Sequence, residues 1–73
     1  MATLTPTETK VLGLAAQGLL NKQIGIKIEI CEGTVKCHFT NIFKKLGALN
    51  RANAVAIGLT RRLIAFEEEQ QTS

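Results

Sequence analysis

The fold of this chain is decided by residues 32–47, which read EGTVKCHFTNIFKKLG. Apolar side chains recur in this stretch at the spacing of one helix face: Val35, Phe39, Ile42 and Leu46. That spacing predicts an amphipathic helix over residues 32–46. The opposite face carries small, polar or cationic side chains and no acid: Gly33, Lys36, Cys37, Thr40 and Lys44. Such a helix suits the major groove of DNA, although a solvated surface helix would show the same pattern.

Composition and charge are consistent with one small domain that has a polyanionic partner. The chain has 73 residues, of which 45% are hydrophobic, enough for a packed core. Three of the six acidic residues are Glu67, Glu68 and Glu69, so the rest of the chain sets nine cations against three glutamates, a balance of +6. A basic body fits nucleic acid, and ordinary solubility is the alternative. We expect a domain over residues 1–66 and a polar acidic tail over residues 67–73.

Several function classes find no support in the sequence. There is one His, no Asp and no glycine-rich phosphate loop, so an enzyme is not expected, and neither a catalytic site nor a cofactor is predicted. Two cysteines are too few for a disulfide framework, and with His38 they form no zinc ligand set, so no metal is predicted. No apolar run is long enough to span a membrane, and because Met1 leads directly into a helix start, no signal peptide is expected. A cytoplasmic, reducing location is expected.

Two helices are predicted before residue 32. Thr5 as N-cap, Pro6 in the first turn and Glu8 as the capping-box partner predict a helix over residues 6–17, which Gly18 ends. Asn21 is predicted to be the N-cap of a short helix over residues 22–28. Within this helix Gly25 lowers helix propensity, and its small size would let another helix approach closely.

The short second helix, a three-residue turn and the longer basic helix form a helix-turn-helix pattern. Ile30 and Val35 have the spacing of a hydrophobic staple, which fixes the entry angle of the third helix. Cys31 between them is a poor N-cap. A fourth helix is predicted over residues 52–64, with two apolar faces. One face carries Ala54, Ile57 and Gly58, and the other carries Val55, Leu59 and Leu63. The predicted fold class is therefore all-α, a four-helix bundle with a central helix-turn-helix.

An ordered set of short motifs runs through these elements. It comprises Leu4-Thr5-Pro6 with Glu8, Val11-Leu12, Gly18 with Asn21-Lys22 and Ile24, Thr34-Val35-Lys36 with His38, Asn41-Ile42-Phe43, Lys45-Leu46, and Asn50-Arg51 before Ala54-Val55. In this set the chain resembles the LuxR-type (GerE- or FixJ-type) DNA-binding domain of bacterial transcription regulators. The resemblance covers residues 4–64 and is much more specific than a generic helix-turn-helix.

The resemblance implies sequence-specific DNA binding by a dimer, with the third helix in the major groove and the fourth helix as the dimer contact. Base-facing positions are Lys36, Cys37 and Thr40. Phosphate-facing positions are Lys22, Thr34, Asn41, Lys44 and Lys45. Dimer-contact positions are Val55, Leu59 and Leu63. Double-stranded DNA is the implied partner. We expect a weak homodimer that becomes firmer on DNA, RNA polymerase as a candidate further partner, and no contact with a membrane. The implied location is the bacterial cytoplasm, at the nucleoid when bound.

Some departures from the family pattern bear on stability. Thr7 stands where the family usually has Arg, and Gly33 softens the first turn of the third helix. Cys31 and Ala52 replace the usual hydroxyl caps, and each is expected to weaken a helix start by about 1 kcal/mol. His38 is expected to be structural, whereas the sequence does not decide whether Arg51 pairs locally or reaches a phosphate. The alternative function is a protein-interaction module that binds another regulator through the fourth helix.

Overall fold

The computed structural model describes residues 3–64, which form α-helices joined by short turns. The helices are α1 Pro6–Ala16, α2 Asn21–Ile28, α3 Glu32–Leu46 and α4 Arg51–Thr60. The all-α fold with a helix-turn-helix at α2 and α3 is confirmed, and α3 has the predicted bounds. The acidic tail, residues 67–73, lies outside the described residues.

The start of α1 is held by a reciprocal capping box. The Glu8 backbone N–H donates to Thr5 Oγ1 at 3.1 Å, and the Thr5 backbone N–H donates to Glu8 Oε1 at 2.9 Å. Pro6 occupies the first turn, where its missing N–H is not needed. The predicted start of α1 is therefore confirmed, including its cap and its capping-box glutamate.

Two N-caps lie elsewhere than predicted. Asn21 is the first helical residue of α2, and the N-cap is Leu20, whose side chain cannot accept a hydrogen bond. The Gln23 side chain instead accepts the Leu20 backbone N–H at 2.7 Å.

The α4 helix begins one residue before Ala52, and its N-cap is Asn50, which accepts the Asn53 backbone N–H at 2.8 Å. The weakness expected at Ala52 is therefore wrong, and the cap without a polar side chain is Leu20.

The fourth helix is shorter than predicted. It ends at Thr60 rather than residue 64, because Arg62 adopts a left-handed backbone with φ of 59°. The Leu63 backbone N–H then donates to the Gly58 carbonyl at 2.8 Å, as in a Schellman motif. This reversal lets Ile64 turn back and become buried beside Gly58. Leu63 therefore does not continue the helical stripe predicted from its spacing.

Helix α3 packs against each of the other three helices, as α1 also does. Its four apolar positions are all buried, as predicted. The core also draws on every other helix and includes Val11, Leu12, Leu14, Ala15, Ile24, Val35, Phe39, Ile42, Leu46, Ala54 and Ile64. This packing fixes the orientation of α3, so its opposite face is presented to solvent on a rigid support.

Gly25 allows the turn between α2 and α3 to close. A Cβ atom at this position would lie 2.6 Å from the Ile30 carbonyl oxygen, which is too close for any other residue without a shift. The predicted close approach at Gly25 is confirmed: the nearest group is the carbonyl of Ile30 in the turn, and the backbone N of Glu32, the first residue of α3, would lie 3.6 Å from the added Cβ. The turn itself contains Glu29 in the left-handed region, with φ of 64°.

Candidate nucleic-acid interface

The outer face of α3 is exposed along its length. Its exposed residues are Glu32, Gly33, Thr34, Lys36, Cys37, Thr40, Asn41 and Lys44. Every sequence-predicted base-facing residue is in this set. The only acidic member is Glu32, in the first turn, so the face beyond it is cationic or neutral. Because the other side of α3 is buried in the core, this face is held rigidly and can meet a flat or grooved partner.

Thr40 has a defined hydrogen-bonding state on this face. Its Oγ1 donates to the Lys36 carbonyl oxygen at 3.1 Å, one turn earlier. The hydroxyl proton is thereby used inside the helix, and the lone pairs of Oγ1 remain to accept. Thr40 is consequently suited to an amino group, whereas neighbouring Lys36 can only donate.

Lys45 occupies a different environment from the other cations of α3. Its Nζ lies 2.7 Å from Glu8 Oε1, and its side chain is 26% exposed against 5% for that of Glu8. Burial by itself would raise the pKa of the Glu8 carboxyl, but the Lys45 ammonium and the hydrogen bonds with Thr5 outweigh burial and hold it below its ordinary value. Lys45 thus joins α3 to α1 and is less available to a phosphate.

The remaining positions that were predicted to face phosphates are open to solvent. Lys22 is exposed in the first turn of α2, and Thr34, Asn41 and Lys44 are exposed on α3. His38 is half-buried, in agreement with a structural role. Both cysteines, Cys31 and Cys37, are exposed free thiols.

The structure resolves the role of Arg51 in favour of local pairing. The guanidinium donates through Nη1 to Asn21 Oδ1 at 2.5 Å and through Nη2 to the Leu19 carbonyl. Its Cζ also lies 4.9 Å from the centroid of the Phe39 ring. Burial lowers the pKa of Arg51, although an arginine stays charged at neutral pH. The first residue of α4 therefore ties the start of α2 to the middle of α3.

Sequence reasoning did not find this link between α4 and α2. Asn21 and Arg51 are 30 residues apart, and no local periodicity relates them. The only local feature that pointed to Arg51 was its position directly after Asn50, a good N-cap residue. That position does not indicate which residue Arg51 contacts.

The outer face of α4 is less apolar than its sequence suggested. Val55 and Leu59 are half-buried and pack against the core, and Leu63, also half-buried against the core, lies beyond the helix end. The exposed positions of the helix are small: Ala52, Ala56 and Thr60. A shallow cavity of about 280 Å³ lies beside Ala56 and Arg61.

Over residues 3–64 the structure contains no group of three His, Cys, Asp or Glu side chains able to hold a metal ion. Within the same range, no helix has the length and apolar content needed to cross a lipid bilayer.

These features define a helix-turn-helix domain. The second helix of the motif, α3, is packed against the core on one side and exposed to solvent on the other. The family described as "Bacterial regulatory proteins, luxR family" matches residues 2–58. The chain belongs to this family, and it is a DNA-binding domain of the kind found in bacterial transcription regulators. The family is non-enzymatic.

Individual relatives agree with this assignment. The chain is 38% identical over 64 residues to the transcriptional regulatory protein YdfI of Bacillus subtilis, covering 88% of this chain and 30% of that protein. It is 45% identical over 51 residues to the nitrate/nitrite response regulator protein NarL of Escherichia coli, covering 70% of this chain and 24% of that protein. The chain therefore spans less than a third of the length of these relatives.

Solved structures show the same fold. The response regulator ChrA of a heme-sensing two-component system matches with a TM-score of 0.83 and 39% identity, over 88% of this chain and 32% of that one. The transcription factor GerE also matches with a TM-score of 0.83, at 29% identity, over 89% of this chain and 97% of that one. The family resemblance and the all-α fold class expected from the sequence are confirmed.

Proposed function

We propose that this domain binds specific duplex DNA sites by placing α3 in the major groove. The observation that carries the proposal is the division of α3 into a fully buried stripe and an outer face that is free of acid beyond Glu32. An α-helix fits the major groove, where each base pair presents a distinct set of donors, acceptors and methyl groups. Because three helices support α3, its outer side chains are held in defined positions. This favours recognition of specific bases over nonspecific electrostatic attraction to DNA.

The exposed residues have complementary chemistries for base edges. Lys36 can donate to guanine O6 and N7. Thr40, whose proton is used by the Lys36 carbonyl, can accept from the amino group of adenine or cytosine. Cys37 can contact a thymine methyl group. Together they predict a site with different base preferences at neighbouring positions.

Phosphate contacts would set the orientation of α3 in the groove. We assign them to the exposed phosphate-facing set, Lys22, Thr34, Asn41 and Lys44. Lys45 is paired with the buried Glu8 carboxylate, so we give it a structural role first and a phosphate role only secondarily.

The experiment that tests the proposal is selection of bound sites from random duplex DNA, followed by affinity measurements at several salt concentrations. We expect enrichment of a defined sequence and a log–log salt dependence whose slope reflects several phosphate contacts. Absence of enrichment, with only weak and salt-insensitive binding, would contradict DNA reading. That result would favour the alternative, a protein-interaction module acting through α4.

We further propose that α4 mediates a weak homodimer that becomes firmer on DNA. The small exposed residues of α4 permit close approach of a second copy, and the half-buried Val55 and Leu59 border them. Leu63 belongs to the following turn and would contribute only from the edge of the contact. One short helix offers a small interface, so the isolated domain should dimerise weakly. In such a dimer the two copies of α3 would lie about 34–36 Å apart, which is the length of one helical turn of DNA and brings them to successive major grooves.

The dimer proposal is tested with Ala56→Glu, since Ala56 is exposed and its replacement should leave the fold intact. We expect this variant to bind a single half-site with the same affinity as a control variant that carries the same added charge elsewhere. It should lose cooperative binding to two half-sites. Thr7→Glu, which adds the same charge at an exposed site on α1, is the matched control. Unchanged cooperativity in the Ala56 variant would exclude this face of α4.

Two broader proposals rest on family membership. The domain would act in the bacterial cytoplasm, and RNA polymerase would be a further partner at promoters. Immunoprecipitation of the protein from cells, with and without nuclease treatment, would distinguish direct binding to the polymerase from bridging by DNA.

A further inference from the structure

An open groove of about 430 Å³ lies beside the reading face of α3. It is bounded by the start of α2, the outer side of α3 and the start of α4. Its lining includes Lys36 and Thr40, which belong to the proposed base-reading set, so the groove is continuous with that face. The lining also includes Arg51 but no acidic side chain, so an anionic partner would meet no repulsion there.

Arg51 fixes the orientation of one polar group in this groove. Because its guanidinium donates to Asn21 Oδ1, the oxygen of the amide is occupied and the Nδ2 amino group is left as the donor. The contacts of Arg51 with the Leu19 carbonyl and the Phe39 ring hold the guanidinium itself in place. Asn21 is thereby set as a hydrogen-bond donor at the groove.

Part of the lining of the groove is apolar and exposed. Leu49 is 89% exposed, the largest exposed fraction of any large hydrophobic residue in the described part of the chain. Its backbone N–H donates to Asn53 Oδ1 at 3.0 Å, which holds the residue in the structured turn before α4. An exposed leucine next to cationic and amide groups suits a partner that is both apolar and anionic.

We propose that this groove receives the sugar–phosphate backbone of one DNA strand. Asn21 donates to a phosphate oxygen, Leu49 packs against the neighbouring deoxyribose, and Arg51 is a positioning residue that orients Asn21. A sugar–phosphate chain combines anionic phosphates with the apolar faces of its sugars, and it borders the major groove that α3 is proposed to enter. The inference rests on the proposed function and extends it, because it assigns a backbone contact to the joint between α2 and α4.

The first test is Leu49→Ala, with Ile26→Ala as the matched control. Both positions are exposed leucine-sized residues, at 89% and 71%, but Ile26 does not line the groove. We expect Leu49→Ala to lower affinity several-fold for specific and random duplexes alike, with an unchanged salt slope, since no charge is removed. The control should bind as the wild type does. Equal affinities for the two variants would overturn the role of Leu49.

The second test is Asn21→Asp, with Gln23→Glu as the matched control. The Asn21 substitution keeps an oxygen for Arg51 but replaces the amino donor with a carboxylate oxygen, so the fold should be retained. The Gln23 substitution adds the same charge in the same helical turn, outside the groove, and keeps an acceptor for the Leu20 N–H. We expect the first to weaken binding on the order of tenfold more than the second, through the lost phosphate contact and added repulsion.

A third variant separates positioning from simple stability. Arg51→Lys retains the charge but cannot span both Asn21 and the Leu19 carbonyl as the planar guanidinium does. At a temperature where circular dichroism shows full folding, we expect reduced affinity in Arg51→Lys and no further loss when Asn21→Ala is added. Additive losses would overturn the orienting role. If the wild type itself bound no duplex DNA, the proposed function would fail; if it bound while these variants matched their controls, only this inference would.

Discussion

Two adjacent lysines of α3 should have different roles, Lys45 in stability and Lys44 in DNA binding. A comparison of Lys45→Met with Lys44→Met tests this difference. Lys45 Nζ lies 2.7 Å from Glu8 Oε1, whereas Lys44 is exposed. Methionine keeps most of the length of the side chain and removes the ammonium group, with its charge and its hydrogen-bond donors. The Lys45 variant leaves a carboxylate that is only 5% exposed with the Thr5 contacts alone. Loss of one partner of a buried polar group costs about 1–3 kcal/mol, and partial access of water to this pair places our expectation at about 2 kcal/mol.

The assay is thermal unfolding followed by circular dichroism, with DNA binding measured well below both transitions. For a domain of this size, about 2 kcal/mol lowers Tm by roughly 8–16 °C. Lys44→Met should keep Tm within the scatter of surface substitutions, about 0.5 kcal/mol, and should reduce the magnitude of the salt slope by about one. In a Glu8→Gln background the cost of Lys45→Met should shrink, because the ion pair is already absent. An unchanged Tm in Lys45→Met, together with a reduced salt slope of DNA binding, would refute the structural role of Lys45 and indicate that it contacts a phosphate.

The remaining predictions concern caps and pH. Leu20→Ser and Cys31→Ser should each raise stability by several tenths to about 1 kcal/mol in thermal unfolding, because both N-caps lack a side-chain hydrogen bond; a lower Tm would show that the original side chain is packed. Asn50→Ala should lower stability by about 1 kcal/mol, while Ala52→Ser should give no gain. The pKa of Glu8 is depressed in the folded state, so its stabilisation is present above its ordinary value of 4.5 and is lost as the pH falls below it. Acid titration of Glu8→Gln should lack this part of the wild-type pH dependence.

Much of the fold could be predicted because its determinants are local. The capping box of Thr5 and Glu8, the left-handed Gly18 and Gly47, and the apolar stripe of α3 each act within a few residues of sequence. The faces of α3 follow from the 3.6-residue period, so the exposure of Gly33, Lys36, Cys37, Thr40 and Lys44 was predicted correctly, whereas the exposed Glu32 in the first turn was not expected on this face.

The errors arose where tertiary contacts override local preference. Asn21 is a better cap than Leu20, yet the Asn21 side chain is drawn to Arg51 from another helix, and the helix starts one residue earlier. The pattern of α4 continues to residue 64, but burial of Ile64 against Gly58 favours a reversal at Arg62, a residue type not expected at positive φ. The pairing of Lys45 with Glu8 joins positions 37 residues apart, which no periodicity predicts.

The most direct test of base reading by α3 is the affinity of Lys36→Ala for a selected site and for random duplex DNA, measured at one salt concentration. Lys36 is exposed beside Thr40 and lies opposite the buried stripe, so its removal should leave the fold unchanged. We expect the variant to lose about 1–3 kcal/mol on the selected site, to lose less on random DNA, and to relax the preference at one base pair. Equal losses on the two duplexes would contradict base reading and leave Lys36 with only a phosphate contact.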